Sequence, residues 1–213
     1  PEMFASGLAL DPSGIAQDMD GSIVNWLRHT SARLDAAVAG SLAIKESGLF
    51  YNRLCMVKPD GTVISYDKHH LFSYSGENLK FSAGQDRVVA EFRGVRVLLQ
   101  VCYDLRFPVF SRSRDDYDMA LYVANWPVSR QLAWDVFLRA RAMENQCYVA
   151  GVNRTGDDSF GHYTGHSALV SPYGEIIASA QDDTVCMVTG EMDMDKLLHF
   201  RQKFPVLQDA DKL

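Results

Sequence analysis

An apolar run that ends in a cysteine constrains this chain more than any other stretch. Residues 94–112 read GVRVLLQVCYDLRFPVFSR. Val95 to Val101 alternates and then turns wholly apolar, rich in Val and Leu, which is the pattern of a buried strand. The strand stops at Cys102, and Tyr103-Asp104-Leu105-Arg106-Phe107-Pro108 predicts a tight turn into a short helix. A thiol at such a junction meets converging backbone N–H groups and a helix dipole that favours the thiolate, so Cys102 is a candidate nucleophile. The competing reading is a packed core thiol, since free cysteine is among the most buried residue types.

The rest of the chain is large enough to enclose that strand. Its 213 residues suit one domain, 1–213, with a sizeable core. With 47% hydrophobic and 23% charged residues it reads as an ordinary soluble globular protein. A net charge of -6 offers no basic field for nucleic acid or an anionic membrane, so neither is expected as a partner. No run of about 18 apolar residues is present, so no membrane-spanning helix is expected, and no signal peptide is visible. The four cysteines, Cys55, Cys102, Cys147 and Cys186, are far apart and form no CxxC. That spacing argues against a zinc site or a disulfide framework and suits a reducing cytoplasm.

Hydrophobic periodicity divides the chain into strands and a few helices. Asp18 to Leu34 predicts an amphipathic helix with Ile23, Trp26, Leu27, Thr30 and Leu34 on one face. Ala36 to Ile44 is strand-like, and Phe50–Val57 with Thr62–Tyr66 predicts a hairpin around Lys58-Pro59-Asp60-Gly61. Asp67 to Gly84 is a polar loop dotted with aromatics, and a loop that long is usually functional. Arg87–Phe92 pairs with Val95–Val101; Asp118–Ala124 and Cys147–Val152 are buried strands on either side of a helix, Ser129–Gln146. In that helix Leu132, Val136, Arg139, Met143 and Gln146 recur at three and four. Ser167–Val170 pairs with Glu175–Ala180, Val185–Glu191 is a last strand, Met194–Arg201 a short helix and Phe204–Leu213 a polar tail. Hairpins mixed with strand–helix–strand units predict an α/β fold of mixed sheets layered with helices.

A cysteine nucleophile needs a base, a group to hold the developing oxyanion and a proton for the leaving group. An arginine six positions on, as a cysteine phosphatase requires, is replaced by Pro108. His162, His166 and His199 stand in no motif of a papain-like enzyme, and His162 and His166 lack the glutamate of HExxH. His69 and His70 read as turn and packing residues. Lys68 and Glu77 lie nine apart in the long loop, where a fold-back brings them together, although a solvated pair is the plainer reading.

Three pieces in order resemble the nitrilase, or carbon–nitrogen hydrolase, superfamily: Pro1-Glu2-Met3-Phe4, Tyr66-Asp67-Lys68-His69-His70-Leu71 and Val101-Cys102-Tyr103-Asp104-Leu105-Arg106-Phe107-Pro108. Tyr122-Val123-Ala124-Asn125-Trp126-Pro127, the helix segment Arg139–Gln146, Asn153-Arg154 and the ending Lys203–Asp211 extend the likeness, and are similar to the omega-amidase branch. The family places a strand, a helix and a strand before its glutamate motif, whereas this chain begins inside that motif. A native segment of about 30 residues or more is therefore expected before Pro1.

The resemblance implies an αββα sandwich with two mixed sheets between helical layers, a homodimer formed through helices or a higher homo-oligomer, and no metal or organic cofactor. It implies a triad of Glu2 as general base, Lys68 on the oxyanion and Cys102 as nucleophile, with Glu77 orienting Lys68 or the substrate. The backbone N–H of Tyr103 would join Lys68. The implied substrate is a small amide with a distant carboxylate, such as 2-oxoglutaramate or 2-oxosuccinamate. Arg106 is then a candidate for the carboxylate, unless it forms a structural ion pair with Asp104 or Glu144, and Phe4, Tyr74, Asn125 and Trp126 are candidate pocket walls. Trp126 as plain core is the alternative. Arg139 and Arg141 read as structural ion-pair formers. The rivals are an amidase for deaminated glutathione, an N-carbamoyl amino acid hydrolase and a non-catalytic scaffold.

Overall fold

The computed structural model describes residues 1–9 and 11–211. β1 (Val38–Glu46), β2 (Leu49–Val57) and β3 (Val63–Asp67) form one sheet, antiparallel throughout. Tight turns join these strands in sequence, so no crossover can make them parallel. Ser47 and Gly48, between β1 and β2, both take positive φ, as a two-residue hairpin turn demands. One parallel bridge, Gln17 to Ile44, is the sole mixed element of this sheet among the described residues.

The second sheet is mixed. β4 (Val89–Phe92), β5 (Val95–Val101), β6 (Met119–Ala124) and β7 (Tyr148–Asn153) are followed by a separate hairpin, β8 (Thr155–Asp158) and β9 (Gly161–Thr164). β10 (Ala168–Val170) and β11 (Ile176–Ser179) complete a six-stranded order β11-β10-β7-β6-β5-β4. β5, β6 and β7 are parallel, and the outer strands are antiparallel to their neighbours.

Strand alternation sorts the apolar side chains into three layers of core. Leu54, Met56 and Tyr66 of the first sheet meet Val97, Leu99, Val101 and Val123 of the second. On the far side of the first sheet, Leu42, Ile44, Cys55 and Val57 pack on Val24 and Leu27 of α1 (Ser22–Leu34). On the far side of the second, Leu98, Ala120, Tyr122 and Val149 pack on Trp134, Leu138 and Ala142 of a helix at Gln131–Glu144. The order helix, sheet, sheet, helix is the expected αββα sandwich, but only the second sheet has mixed strand pairing, since hairpins alone join the strands of the first. A four-residue α2 (Pro108–Ser111) lies between β5 and β6, which makes the Gln131–Glu144 helix α3, and α4 is Met194–Lys203.

Several local expectations change. α1 starts at Ser22, behind Gly21, and buries Val24, Leu27, Thr30 and Ser31, leaving Trp26 and Leu34 half exposed. In α3 the stripe of Leu132, Val136 and Met143 faces outward; Trp134, Leu138, Arg141 and Ala142 face the sheet. Periodicity gave a face without saying which side the core lies on. Arg139 donates to the Gly174 carbonyl at 3.0 Å and makes no ion pair among the described residues, whereas Arg141 pairs with Glu144 at 2.9 Å. Val185–Glu191 forms no strand, and Val185 and Met187 are exposed. The hairpin β8–β9 went unforeseen because its strands are polar and lack alternation. Val206–Asp209 of the tail forms a 3₁₀ turn, and residues 212–213 of that tail lie outside the described residues.

Gly151 marks where α3 meets the sheet. A Cβ there would stand 2.6 Å from Leu138 Cδ1 and 2.7 Å from Trp134 Cζ2. Gly151→Ala is expected to destabilise the protein by about 1–3 kcal/mol through overpacking. Urea unfolding should show a lower midpoint with an unchanged slope.

Candidate active site

The ends of the strands converge on one edge of the sandwich. Lys68 follows β3, Cys102 follows β5 and Asn125 follows β6, each as the next residue. Open α/β sheets place their ligand crevice at such carboxyl ends. The chain start is pinned beside them, since the Phe4 N–H donates to the Ser41 carbonyl at 3.2 Å and the Met3 N–H to Ser41 Oγ at 2.9 Å. That clasp carries Glu2 to the edge.

Three charged groups meet there out of water. Lys68 Nζ donates to Glu2 Oε1 at 2.9 Å and to Glu77 at 2.9 and 3.1 Å. All three side chains are 2% exposed or less. Asn52 Nδ2 bridges the carboxylates, at 2.8 Å from Glu2 Oε1 and 3.1 Å from Glu77 Oε1. The Asn125 N–H donates to Glu2 Oε2 at 3.0 Å, and the Phe72 N–H to Glu77 Oε2 at 2.6 Å. Burial works against the Lys68 charge, but the carboxylates of Glu2 and Glu77 outweigh it and hold the ammonium well above the usual lysine range. The fold-back of Lys68 onto Glu77 is therefore a buried pair and not a solvated one.

Cys102 stands beside this group with φ at +46°, a left-handed conformation that costs a non-glycine residue strain. Its Sγ lies 3.9 Å from the Asn125 carbonyl. Burial, and then the nearby Glu2 carboxylate, push the thiol well above its ordinary value, with Lys68 pulling the other way. The expectation of a dipole-stabilised thiolate is corrected. The turn after β5 is one five-residue 3₁₀ stretch, Cys102–Arg106, followed by the short α2, too little helix to outweigh desolvation. The resting group is a neutral thiol with a carboxylate at hand.

Asp104, fully buried, ties that turn to the lysine loop. One oxygen accepts from the Val101 N–H at 2.9 Å and the Tyr66 hydroxyl at 2.7 Å. The other accepts from the His70 N–H at 3.0 Å and meets His70 Nδ1 at 2.8 Å. His70 stacks on Phe107 at 3.7 Å and His69 on Phe110 at 4.3 Å, so both act as packing residues, as expected. His162 and His166 each bridge two aspartates, Asp157 with Asp183 and Asp135 with Asp182.

A cavity of about 450 Å³ opens over Cys102, Lys68 and the two glutamates. Asn125 lines it, and Tyr74 stands at its rim, 86% exposed. Tyr103, Arg106 and Trp126 line a small side pocket that also touches Cys102. Arg106 forms no ion pair with Asp104 or Glu144. Its guanidinium lies over Trp126 at 4.9 Å and Phe137 at 5.5 Å, because Asp104 and Glu144 already have other partners. Phe4 is off the cavity; its ring packs on Gly40 and, at 6.0 Å, on Trp26. Sequence reasoning missed Asn52, Phe72, Arg130, Phe160 and Tyr163. Asn52 carried a signal, an amide in the middle of an apolar strand. Phe160 and Tyr163 carried none, since they belong to the unforeseen hairpin.

The family model for carbon–nitrogen hydrolases matches residues 1–202. The chain is 49% identical over 215 residues to Omega-amidase YafV of Escherichia coli K12, covering 100% of this chain and 83% of that protein. It is 33% identical over 217 residues to a 2-oxoglutaramate amidase of Bacillus subtilis, with the same coverage. A solved CN-hydrolase superfamily protein of Xanthomonas campestris, with an arsenic adduct in its active site, superposes with a TM-score of 0.96 at 42% identity. That match covers 100% of this chain and 83% of that one.

The buried charges give a pH dependence. The Lys68 ammonium is favoured by folding, so its stabilisation is complete below the unfolded lysine value of about 10.4 and is lost as pH rises through the folded one. Lys68→Met leaves two buried carboxylates without their cation. It is expected to cost about 3–5 kcal/mol at pH 7.5. Urea melts of the parent and the variant at that pH check this.

Proposed function

The chain belongs to the carbon–nitrogen hydrolase family, and we propose that it is an omega-amidase that works through a thioester on Cys102. It is an enzyme that hydrolyses amide C–N bonds. The observation that carries the mechanism is the buried chain Glu2–Lys68–Glu77 beside a strained cysteine at the base of a cavity.

Lys68 stays an ammonium, so it is no base; it serves as a fixed positive charge. Glu2 is then the group that takes the thiol proton as Cys102 attacks the amide carbonyl. The oxyanion is held by Lys68 and the Tyr103 N–H, and one such donor is worth about 10²- to 10³-fold in rate. Glu2 returns its proton to the departing nitrogen, ammonia leaves and the acyl group remains on sulfur. Water, deprotonated by Glu2, then cleaves the thioester to the carboxylic acid and the free thiol. Glu77, with two bonds to Lys68, fixes the ammonium so that it points at the reacting oxygen. No metal or organic cofactor takes part in this scheme.

The substrate proposed is a small amide with a carboxylate at its far end, 2-oxoglutaramate or 2-oxosuccinamate. Relatives named omega-amidase and 2-oxoglutaramate amidase support it, as does a cavity of about 450 Å³. The outward stripe of Leu132, Val136 and Met143, continued by exposed Tyr173 and Phe204, supports a homodimer through α3. Among the described residues no helix is long and apolar enough to cross a membrane. Four free cysteines support a reducing, cytoplasmic setting.

Ammonia release from 2-oxoglutaramate, measured beside Cys102→Ala, tests the reading. The parent should turn over and the variant should fall by at least about 10⁴-fold while keeping its fold. Turnover retained in the variant would sink the thioester mechanism.

A further inference from the structure

The catalytic wall has the wrong charge for the proposed substrate. Glu2 and Glu77 carry two formal negative charges and Lys68 one positive, all within hydrogen-bond reach. A carboxylate brought into a dry cavity beside that net negative wall is repelled unless a cation faces it. Apart from Lys68, Arg130 is the one cation lining the 450 Å³ cavity among the described residues. It lines the side pocket beside Cys102 as well.

Arg130 is built to stay available. It ends a 3₁₀ turn, Val128–Arg130, that follows β6 and precedes α3. The backbone is fixed, because its N–H donates to the Pro127 carbonyl at 3.0 Å and its carbonyl accepts from Trp126 Nε1 at 2.8 Å. The guanidinium rests over the Phe72 ring at 5.2 Å and forms no ion pair among the described residues. An arginine on an aromatic face keeps its N–H edges free for a planar, two-point contact with a carboxylate. Arg106, by contrast, has Trp126 and Phe137 against it and reaches only the small side pocket.

We propose that Arg130 is the specificity residue, taking the carboxylate at the far end of the substrate while Cys102 holds the amide carbon. This rests on the amidase reading of the same cavity. It assigns to Arg130 the anionic end that sequence reasoning had offered to Arg106.

The test compares kcat/KM for glutaramate, which ends in a carboxylate, with that for pentanamide, the neutral amide of the same chain length. Arg130→Ala is expected to lower the ratio of the two by about 10²-fold, mainly through KM, with Arg130→Lys restoring part of it. Arg106→Ala should move the ratio less. An unchanged ratio in Arg130→Ala overturns the proposal and leaves the amidase reading standing. Calorimetry of glutarate binding to Cys102→Ala, with and without Arg130→Ala, reads the same contact without turnover. If the parent cleaves neither these two amides nor 2-oxoglutaramate, the amidase reading fails, and a loss of about 10²-fold in glutarate affinity still supports Arg130. Glutarate affinity that is absent, or equal in the two proteins, overturns it.

Discussion

A lysine ammonium held between two carboxylates, out of reach of water, sets the terms for the rest of this fold. Each charge alone would be costly to bury, and together they are tolerable only with close geometry and every remaining lone pair met. Asn52, the Asn125 N–H and the Phe72 N–H meet several of them. Those partners come from β2, from the end of β6 and from the loop after β3. The polar site therefore requires both sheets to be in place, and the sandwich cannot shift in register without stranding a charge.

The same requirement explains the backbone at Cys102. A side chain leaving β5 in regular fashion would alternate into one of the two apolar layers that take Leu98 and Leu99. The left-handed turn breaks that alternation and presents sulfur at the sheet edge. Asp104 holds the turn in place through the strand N–H of Val101 and through Tyr66 and His70. Strain at one residue is balanced by four contacts to the next buried acid.

What the sequence made legible follows from locality. The strand into Cys102, the motif around Lys68 and the hairpin turns are short-range patterns, and the resemblance joined them in order to the αββα sandwich. Glu77 was placed near Lys68 by loop length and resemblance, and lies there. The outward stripe of α3 was read correctly as a period and without a direction, because Leu132 and Trp134 are both apolar and only the sheet beneath decides which is buried. Val185–Glu191 has the composition of a strand, yet it pairs with neither sheet, and composition does not report pairing. Arg106 and Arg130 show the same limit at the site. Proximity in sequence to Cys102 favoured Arg106, while the turn after β6 carries Arg130 to the cavity from 28 positions away.

The cavity has two walls of unlike construction. One is made of Lys68, Cys102 and Asn125 at the ends of core strands, with Glu2 and Glu77 bonded to Lys68. The other is made of Phe160 and Tyr163 from a polar hairpin, Tyr74 from a surface turn and Arg130 from a 3₁₀ turn. Mutations on the first wall disturb folding and chemistry together. Mutations on the second leave the sheets untouched. Inheritance can thus keep one reaction while the hairpin and turns drift, and descendants of such a scaffold would differ in which amide they accept long before they differ in how they cleave it.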